Sequence, residues 1–379
     1  MAVKSAVLFI LNNENNRPIL LQRVMGTPLL TWLSNGLSAR GICRCLLICP
    51  EQFAEQAKAC FPDSIALTCT ADQNDISGFI ASEQDEEMLV ITKPVVDLGS
   101  KSALFAEDCA EVGLAACTVS ASALQTSDSV ESCLAAHGTE AEGFAVVSEP
   151  DELPDWQPIL KRLYLYELAN NGVEIWDYDN CYVDPSVRVG AGTVLMPGTI
   201  LRGKTVIGEN CTIGPNTLLE NAVIGNHTKI NASQIFESSV ADHTAVGPFA
   251  YIRPNCRIGS DVKIGDFVEV KNSVIDDGTK VSHLTYIGDS DVGKRINFGC
   301  GTVTVNYDRA KKFRTVIEDD AFIGCNTNLI APVTVGEGAY IAAGSTITEN
   351  VPANSLSIAR VRQSNKENWS TNNKVKEKK

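Results

Sequence analysis

The sequence predicts two regions of different fold class: an α/β domain followed by a parallel β-helix built from hexapeptide repeats. Three observations carry that reading. Near the N-terminus, short apolar runs alternate with a helix-like stretch. From about Val183 onward an aliphatic residue recurs at steps of six. Between the two regions lies one long helical pattern with a polar stop.

In chain order, AVLFIL (6–11), CRCLLIC (43–49) and MLVIT (88–92) read as buried strands, rich in β-branched and aliphatic residues. PLLTWLSNGLSARG (28–41) has a helical apolar period and a glycine at its end. Strand, helix, strand predicts a largely parallel sheet. DELPDWQPILKRLYLYELANNG (151–172) reads as a helix that starts near a proline and stops at Asn-Asn-Gly. The expected organisation is therefore an α/β domain over 1–150, a connecting helix over 151–172, the β-helix over 173–369 and a basic tail over 370–379.

Composition narrows the function classes. Of 379 residues, 44% are hydrophobic and 21% charged, as in ordinary globular proteins, and the formal net charge is −14. So acidic a chain is not a general binder of nucleic acid, which needs a basic face. The basic run from Lys374 to Lys379 reads as a solvated end. No stretch has the pattern of a signal peptide or the length of a membrane span. The 13 cysteines include no CxxC pair, which predicts reduced thiols in a cytoplasmic protein without membrane partners.

The six-residue series runs Val183, Val189, Leu195, Leu201, Ile207, Ile213, Leu219. It returns as Val240, Val246, Ile252, Ile258, Ile264, Val270, and again as Ile317, Ile323, Leu329, Val335, Ile341, Ile347. A sustained hexapeptide period marks a parallel β-helix, in which each aliphatic residue points inward from a short strand. Three hexapeptides make one triangular coil, so residues 18 apart stack about one strand spacing, roughly 4.8 Å, apart. The general preference for right-handed crossovers would make this coil right-handed. The series slips by one residue between Val270 and Ile275 and between Ile287 and Val292, and breaks after Phe298. There TVTVNYDRAKKFRT (302–315) reads as an insertion ejected from the coil.

Several side chains do not fit a scaffold. Arg253 and Lys271, 18 apart and each following an inward residue, should stack as two cations with no acid between them. Such a pair suits a phosphate or carboxylate; the alternative is two solvated cations, one paired with Glu269. His283 lies in a polar cluster with Tyr286 and Asn297 and can serve as a general base for an amine. One coil further on, its column reaches Cys300, so a His–Cys nucleophile pair and a plain small thiol are both open readings. His227, His243 and His283 are too scattered for a zinc site, and no metal is expected.

Residues 173–369 resemble the acetyltransferase domain of the bacterial bifunctional N-acetylglucosamine-1-phosphate uridyltransferase/glucosamine-1-phosphate acetyltransferase family. GPFAYIRPN (247–255), GDFVEVKNS (265–273), SHLTYIGD (282–289), INFGCGTVTVNYD (296–308), KKFRTVI (311–317), APVTVGEGAYIAAGSTIT (331–348) and SIARVRQSNKENW (357–369) carry the resemblance. It implies a left-handed coil, against the general rule, and a homotrimer with active sites between subunits. It also implies that Arg253 and Lys271 hold the phosphate of glucosamine 1-phosphate and Tyr286 and Asn297 its sugar. His283 would deprotonate the 2-amino group, which then attacks acetyl-CoA, with backbone amides near residues 300 and 343 steadying the oxyanion. Cys300, Asn306, Tyr307, Cys325, Ala343 and Arg360 match coenzyme A-contacting positions, with Lys312 a further contact. Cys300 stands where the family commonly has alanine and Cys325 where it has serine, which predicts sensitivity to thiol reagents.

The first region resembles the family's nucleotidyltransferase domain only in outline, through RPILLQRVMGTPLLTWL (17–33). Where the resemblance calls for a Gly-rich, Arg-bearing loop, the chain reads LFILNNENNRP, and its first glycine is Gly26. Without glycine the backbone cannot approach a triphosphate closely. Ile19 replaces the family's lysine, and ITKPVVD (91–97) lacks the usual Gly-Asp context of the metal-binding aspartate. The expectation is a degenerate nucleotidyltransferase-like domain that has lost uridyl transfer, with Mg²⁺ needed only if that activity survives. A bifunctional enzyme and a non-catalytic trimeric scaffold for sugar phosphates are the alternatives.

Overall fold

The computed structural model describes residues 3–10, 17–81, 86–99 and 113–372. They form two compact units, one of residues 1–210 with 219–221, the other of 211–218 with 222–379. The division between the units falls within the repeats.

In the first unit a six-stranded sheet runs in the order Ala66–Thr70, Arg44–Ile48, Ser5–Phe9, Glu87–Ile91, Ala116–Ser120, Thr139–Glu140. The first four strands pair in parallel, and the last two pairings are antiparallel, so Ala116–Ser120 alone runs against the rest. Alternate residues of the first strand feed two cores: Ala6 and Leu8 pack with Leu29, Leu33, Trp156 and Leu160, and Val7 and Phe9 with Ile76, Met88 and Leu134. Both faces are therefore covered, as a parallel sheet requires. The helix Leu29–Ala39 lies within the span expected for it. The connecting helix is Leu153–Asn170; it buries Trp156, Leu160, Leu165 and Leu168 at helical spacing and ends at Asn171 and Gly172, whose φ of 90° few other residues adopt.

The strands from Glu174 onward form a left-handed β-helix of hexapeptide repeats. In the second unit it has three faces. One stacks Ala245–Val246, Lys263–Asp266, Lys280–His283, Asn297–Phe298, Phe322–Ile323 and Tyr340–Ile341 in parallel. The next stacks Tyr251–Ile252, Glu269–Lys271, Tyr286–Gly288, Val303–Val305 and Asn328–Ile330. The third runs through Arg257–Ile258, Val274–Ile275, Ser290–Val292, Thr315–Ile317 and Val333–Val335. At the corner between the first two faces, Phe249, Phe267, Leu284, Gly301, Asn326 and Gly344 all have positive φ. That repeated left-handed residue turns the chain sharply once per coil.

The inward residues of the series are buried, Ile213, Ile252, Ile264, Val270 and Ile341 completely; Val189 alone among them is half-buried. The apparent gap between Leu219 and Val240 is not a gap. Ile224, Ile230 and Ile235 are buried there, at steps of five and six. The ejected segment is also shorter than expected, since Val303–Val305 and Thr315–Ile317 are strands of the coil. Threonine explains the misreading: Thr302 and Thr304 are fully buried, their hydroxyls donating to the carbonyls of Gly299 (2.7 Å) and Gly288 (3.1 Å). A hydroxyl satisfied by backbone fits a core position that polarity alone argues against.

Candidate active site

The expected cation pair lies on the second face. Ile252 is in register with Val270, and the Arg253 amide donates to the Val270 carbonyl, so Arg253 and Lys271 occupy successive coils. They are not free of acids. Arg253 Nη1 meets Glu269 Oε1 at 2.9 Å, and Lys271 Nζ meets Asp289 Oδ2 at 3.3 Å. Each carboxylate comes from a neighbouring strand or corner, which a count of residues between the two cations does not reveal.

Asp289 gathers the cluster. Burial alone would push its carboxyl up, but hydrogen bonds from Asn272, Lys271 and Asn306 hold it below the usual range. Asn306 Nδ2 also reaches the Tyr286 hydroxyl at 3.4 Å. Tyr286 lies over Gly288, where any Cβ would fall 2.3 Å from the phenol oxygen. Lys312 reaches in from the ejected loop to Lys271: the contact raises the Lys271 ammonium and lowers that of Lys312, since two adjacent cations compete for one proton. Thus Lys312 and the Asn306 side chain stand with the cations.

His283 ends a strand of the first face, in register with Asp266. Its Nδ1 is 2.6 Å from Asp266 Oδ1, and that bond is the largest reason the Asp266 carboxyl sits below its ordinary value. The contact fixes the ring and leaves Nε2 without a partner among the described residues. Glu269, the acid the sequence offered as a partner for one cation, does pair with Arg253; Asp266 and Asp289 were not singled out, and the 17-residue spacings of Asp266 to His283 and Asn272 to Asp289 were the available signal, once the slip was applied.

The column through Asp266 and His283 continues coil by coil. Val281 pairs with Phe298, Phe298 with Ile323 and Ile323 with Ile341, so Cys300, Cys325 and Ala343 follow His283 in turn. Each precedes a positive-φ corner residue. The amides of Cys300 and Ala343 donate to nothing among the described residues, whereas Gly301, Asn326 and Gly344 donate to the previous coil. Beside the column, Arg360 is exposed with its Cδ 3.5 Å from where a Gly344 Cβ would stand. Tyr307 is exposed, its hydroxyl donating to the Arg309 carbonyl. Asn297 is not brought together with Arg253 and Lys271: it lies on the first face, in register with Lys280 and Phe322.

The histidines need one correction. His227 and His243 are not scattered; their rings stack in parallel with centroids 5.0 Å apart. Parallel stacked rings do not converge on an ion, and the described residues hold no group of three or more metal-ligating side chains. In the first unit, Asp97 is consumed by Arg40, which reaches it from Nε and Nη2 at 2.6–3.0 Å, and by the Gly99 amide at 2.8 Å. The loop after the first strand, where a Gly-rich turn was sought, lies largely outside the described residues, as do Lys374 to Lys379 of the tail.

The coil belongs to a recognised class of repeat: residues 186–221, 237–272 and 314–349 match the model described as bacterial transferase hexapeptide (six repeats). More particularly, the chain is homologous to proteins named "Bifunctional protein GlmU". It is 53% identical to that of Geobacillus sp. (strain WCH70) over 223 residues, 59% of this chain and 49% of the relative. To that of Halalkalibacterium halodurans it is 51% identical over 236 residues, 62% of this chain and 51% of the relative. The chain spans about half the length of the curated relatives it matches. Among solved structures, Francisella novicida UDP-N-acetylglucosamine acyltransferase is 19% identical, covering 49% of this chain and 66% of its own, at a TM-score of 0.27, too low to bear on function.

Proposed function

We propose that the chain transfers the acetyl group of acetyl-CoA to the amine of glucosamine 1-phosphate, and that it no longer transfers uridyl groups. The observation that carries this is the Asp266–His283 contact at 2.6 Å on the column next to the Arg253–Lys271–Lys312 cations, in a chain about half identical to proteins named as bifunctional GlmU. Arg253, Lys271 and Lys312 bind the phosphate, displacing Glu269 and Asp289 in part. Tyr286 and Asn297 hold the sugar. Nε2 of His283 takes a proton from the ammonium; the free amine attacks the thioester carbonyl, and the amides of Cys300 and Ala343 face the oxyanion. The C–S bond then breaks, the departing thiolate recovers the proton from the imidazolium, and the acetylated nitrogen releases its surplus proton to solvent. Coenzyme A lies along Cys300, Asn306, Tyr307, Cys325, Ala343 and Arg360, with Lys312 a further contact.

Arg253 and Asn297 stand on different faces and three turns apart, and we infer that the groove joining them is completed by a second subunit of a homotrimer. The engaged Asp97 and the glycine-free stretch before Gly26 support the loss of uridyl transfer. Incubation with acetyl-CoA and glucosamine 1-phosphate is expected to release CoA thiol, and later addition of UTP and Mg²⁺ no pyrophosphate. Pyrophosphate release would restore the bifunctional reading. A folded oligomer that releases no thiol would leave the scaffold reading.

A further inference from the structure

Cys300 and Cys325 stand apart from the other described thiols. Most of the rest are buried: burial pushes Cys45 up to about 12 and Cys49 up to about 11, which keeps them from reacting as thiolates. Cys43 is exposed, but no accessible thiol accompanies it in register. Cys300 is half-buried and Cys325 exposed.

The coil places these two at the same position of consecutive turns. Phe298 is paired with Ile323 two residues before them, and the Asn326 amide donates to the Cys300 carbonyl at 2.8 Å just beyond. The register cannot slip between those two points. Gly299 lets the strands close fully, since a Cβ there would fall 2.4 Å from the Cys325 nitrogen. Aligned residues of adjacent strands lie about 4.8 Å apart, within the roughly 4.4–6.8 Å between Cα atoms that a disulfide spans.

We propose that Cys300 and Cys325 form a paired-thiol modification site, which a hydroperoxide closes to a disulfide across two coils. The exposed Cys325 thiolate attacks the peroxide oxygen, breaking the O–O bond and giving a sulfenic acid and water. The Cys300 thiolate then attacks that sulfur; the S–S bond forms, the S–O bond breaks and a second water leaves. Two thiols are oxidised by two electrons and one hydrogen peroxide is reduced to two waters. On the functional reading above, the closed bridge sits on the column after His283, where the thioester would lie, and blocks acetyl transfer.

The test treats the full chain with hydrogen peroxide and follows intact mass, thiol titration and peptide maps. The expected result is loss of about 2 Da and of two titratable thiols, with the peptides holding residues 300 and 325 cross-linked and both restored by dithiothreitol. In Cys300→Ala the cross-link is replaced by a dimedone-trapped sulfenic acid at Cys325. Cross-links that map elsewhere, or an unbridged 300/325 pair after Cys43 is oxidised, overturn the proposal. Acetyl transfer is assayed on the same samples. A mapped bridge with unchanged transfer would count against the placement of acetyl-CoA on this column and leave the thiol pair standing; no transfer before oxidation would count against the functional reading alone.

Discussion

Arg40 and Arg253 are both guanidiniums beside a carboxylate, and the two regions use them in opposite ways. In the α/β region, Arg40 spends its donors on Asp97 and on the carbonyls of Glu142 and Gly143, and the Asp97 side chain is 5% exposed. Gly36 even lacks the Cβ that would strike that carboxylate at 2.6 Å. Among the described residues, a single Nη1 hydrogen of Arg40 is left without an acceptor. In the coil, Arg253 holds Glu269 through one nitrogen, with the two side chains 39% and 38% exposed. Lys271, Lys312 and the free nitrogen of His283 are left in the same partly satisfied state. A polar group fully matched within the chain is structural. One matched on a single side is held in place and still available, which is what a site needs.

The sharpest way to break this contrast is to remove the half-satisfied base. His283→Ala is expected to lower kcat for acetyl transfer by about 10²–10⁴-fold, as loss of a general base does, with the KM for sugar phosphate little changed. Asp266→Asn keeps the ring and removes its orienting carboxylate. Its expected loss is smaller, about 10–100-fold in kcat, the usual effect of an orienting partner. If Asp266→Asn costs as much as His283→Ala, the carboxylate does more than hold the ring.

The cations sharpen the contrast from the other side. Arg253→Ala should raise the KM for glucosamine 1-phosphate by roughly 10–100-fold with kcat nearly unchanged, because a charged hydrogen bond is worth about 1.5–3 kcal/mol. The matched mutation in the α/β region, Arg40→Ala, should leave both constants alone and lower stability instead, since it strands Asp97. Steady-state kinetics and urea unfolding on the two variants decide it. A KM change in Arg40→Ala would mean that the first region touches the substrate after all.

How far the sequence could be read follows from the same distinction. Periodicity is a property of inward residues, so three of the six sheet strands, the helices Leu29–Ala39 and Leu153–Asn170 and the columns of the coil were legible from spacing. Arg253, Lys271 and His283 were legible because no core needs them. What spacing could not show is which acids answer them. Glu269 was legible as a partner for one cation, but Asp266 and Asp289 read as ordinary surface charges, since a carboxylate's partner depends on a corner of the next coil. The buried threonines at 302 and 304 hid the strand Val303–Val305 for a related reason: hydropathy sees the hydroxyl, not the carbonyl that receives it. The contacts of Asn306 with Asp289 and of Lys312 with Lys271 were likewise not legible from spacing.

Asp289 gives the smallest and most discriminating effect, because it joins both kinds of group: buried and well matched, yet part of the cation cluster. Its folded-state carboxyl is held below the ordinary value of about 3.9 that it has in the unfolded chain. Protons therefore bind the unfolded state more readily. The stability this carboxylate contributes is fully present above the unfolded value and is lost as pH falls through the lowered folded one. Asp289→Asn removes that contribution and leaves Lys271 facing an amide, a cost of about 1–3 kcal/mol at neutral pH. The gap between wild type and variant should then shrink as unfolding is measured at pH 7, 4 and 3, because acid strips the wild type of what the variant already lacks. A gap that stays constant down to pH 3 would mean that Asp289 stabilises the coil through hydrogen bonds of its neutral form, and that Lys271 is held by Lys312 and the loop rather than by this carboxylate.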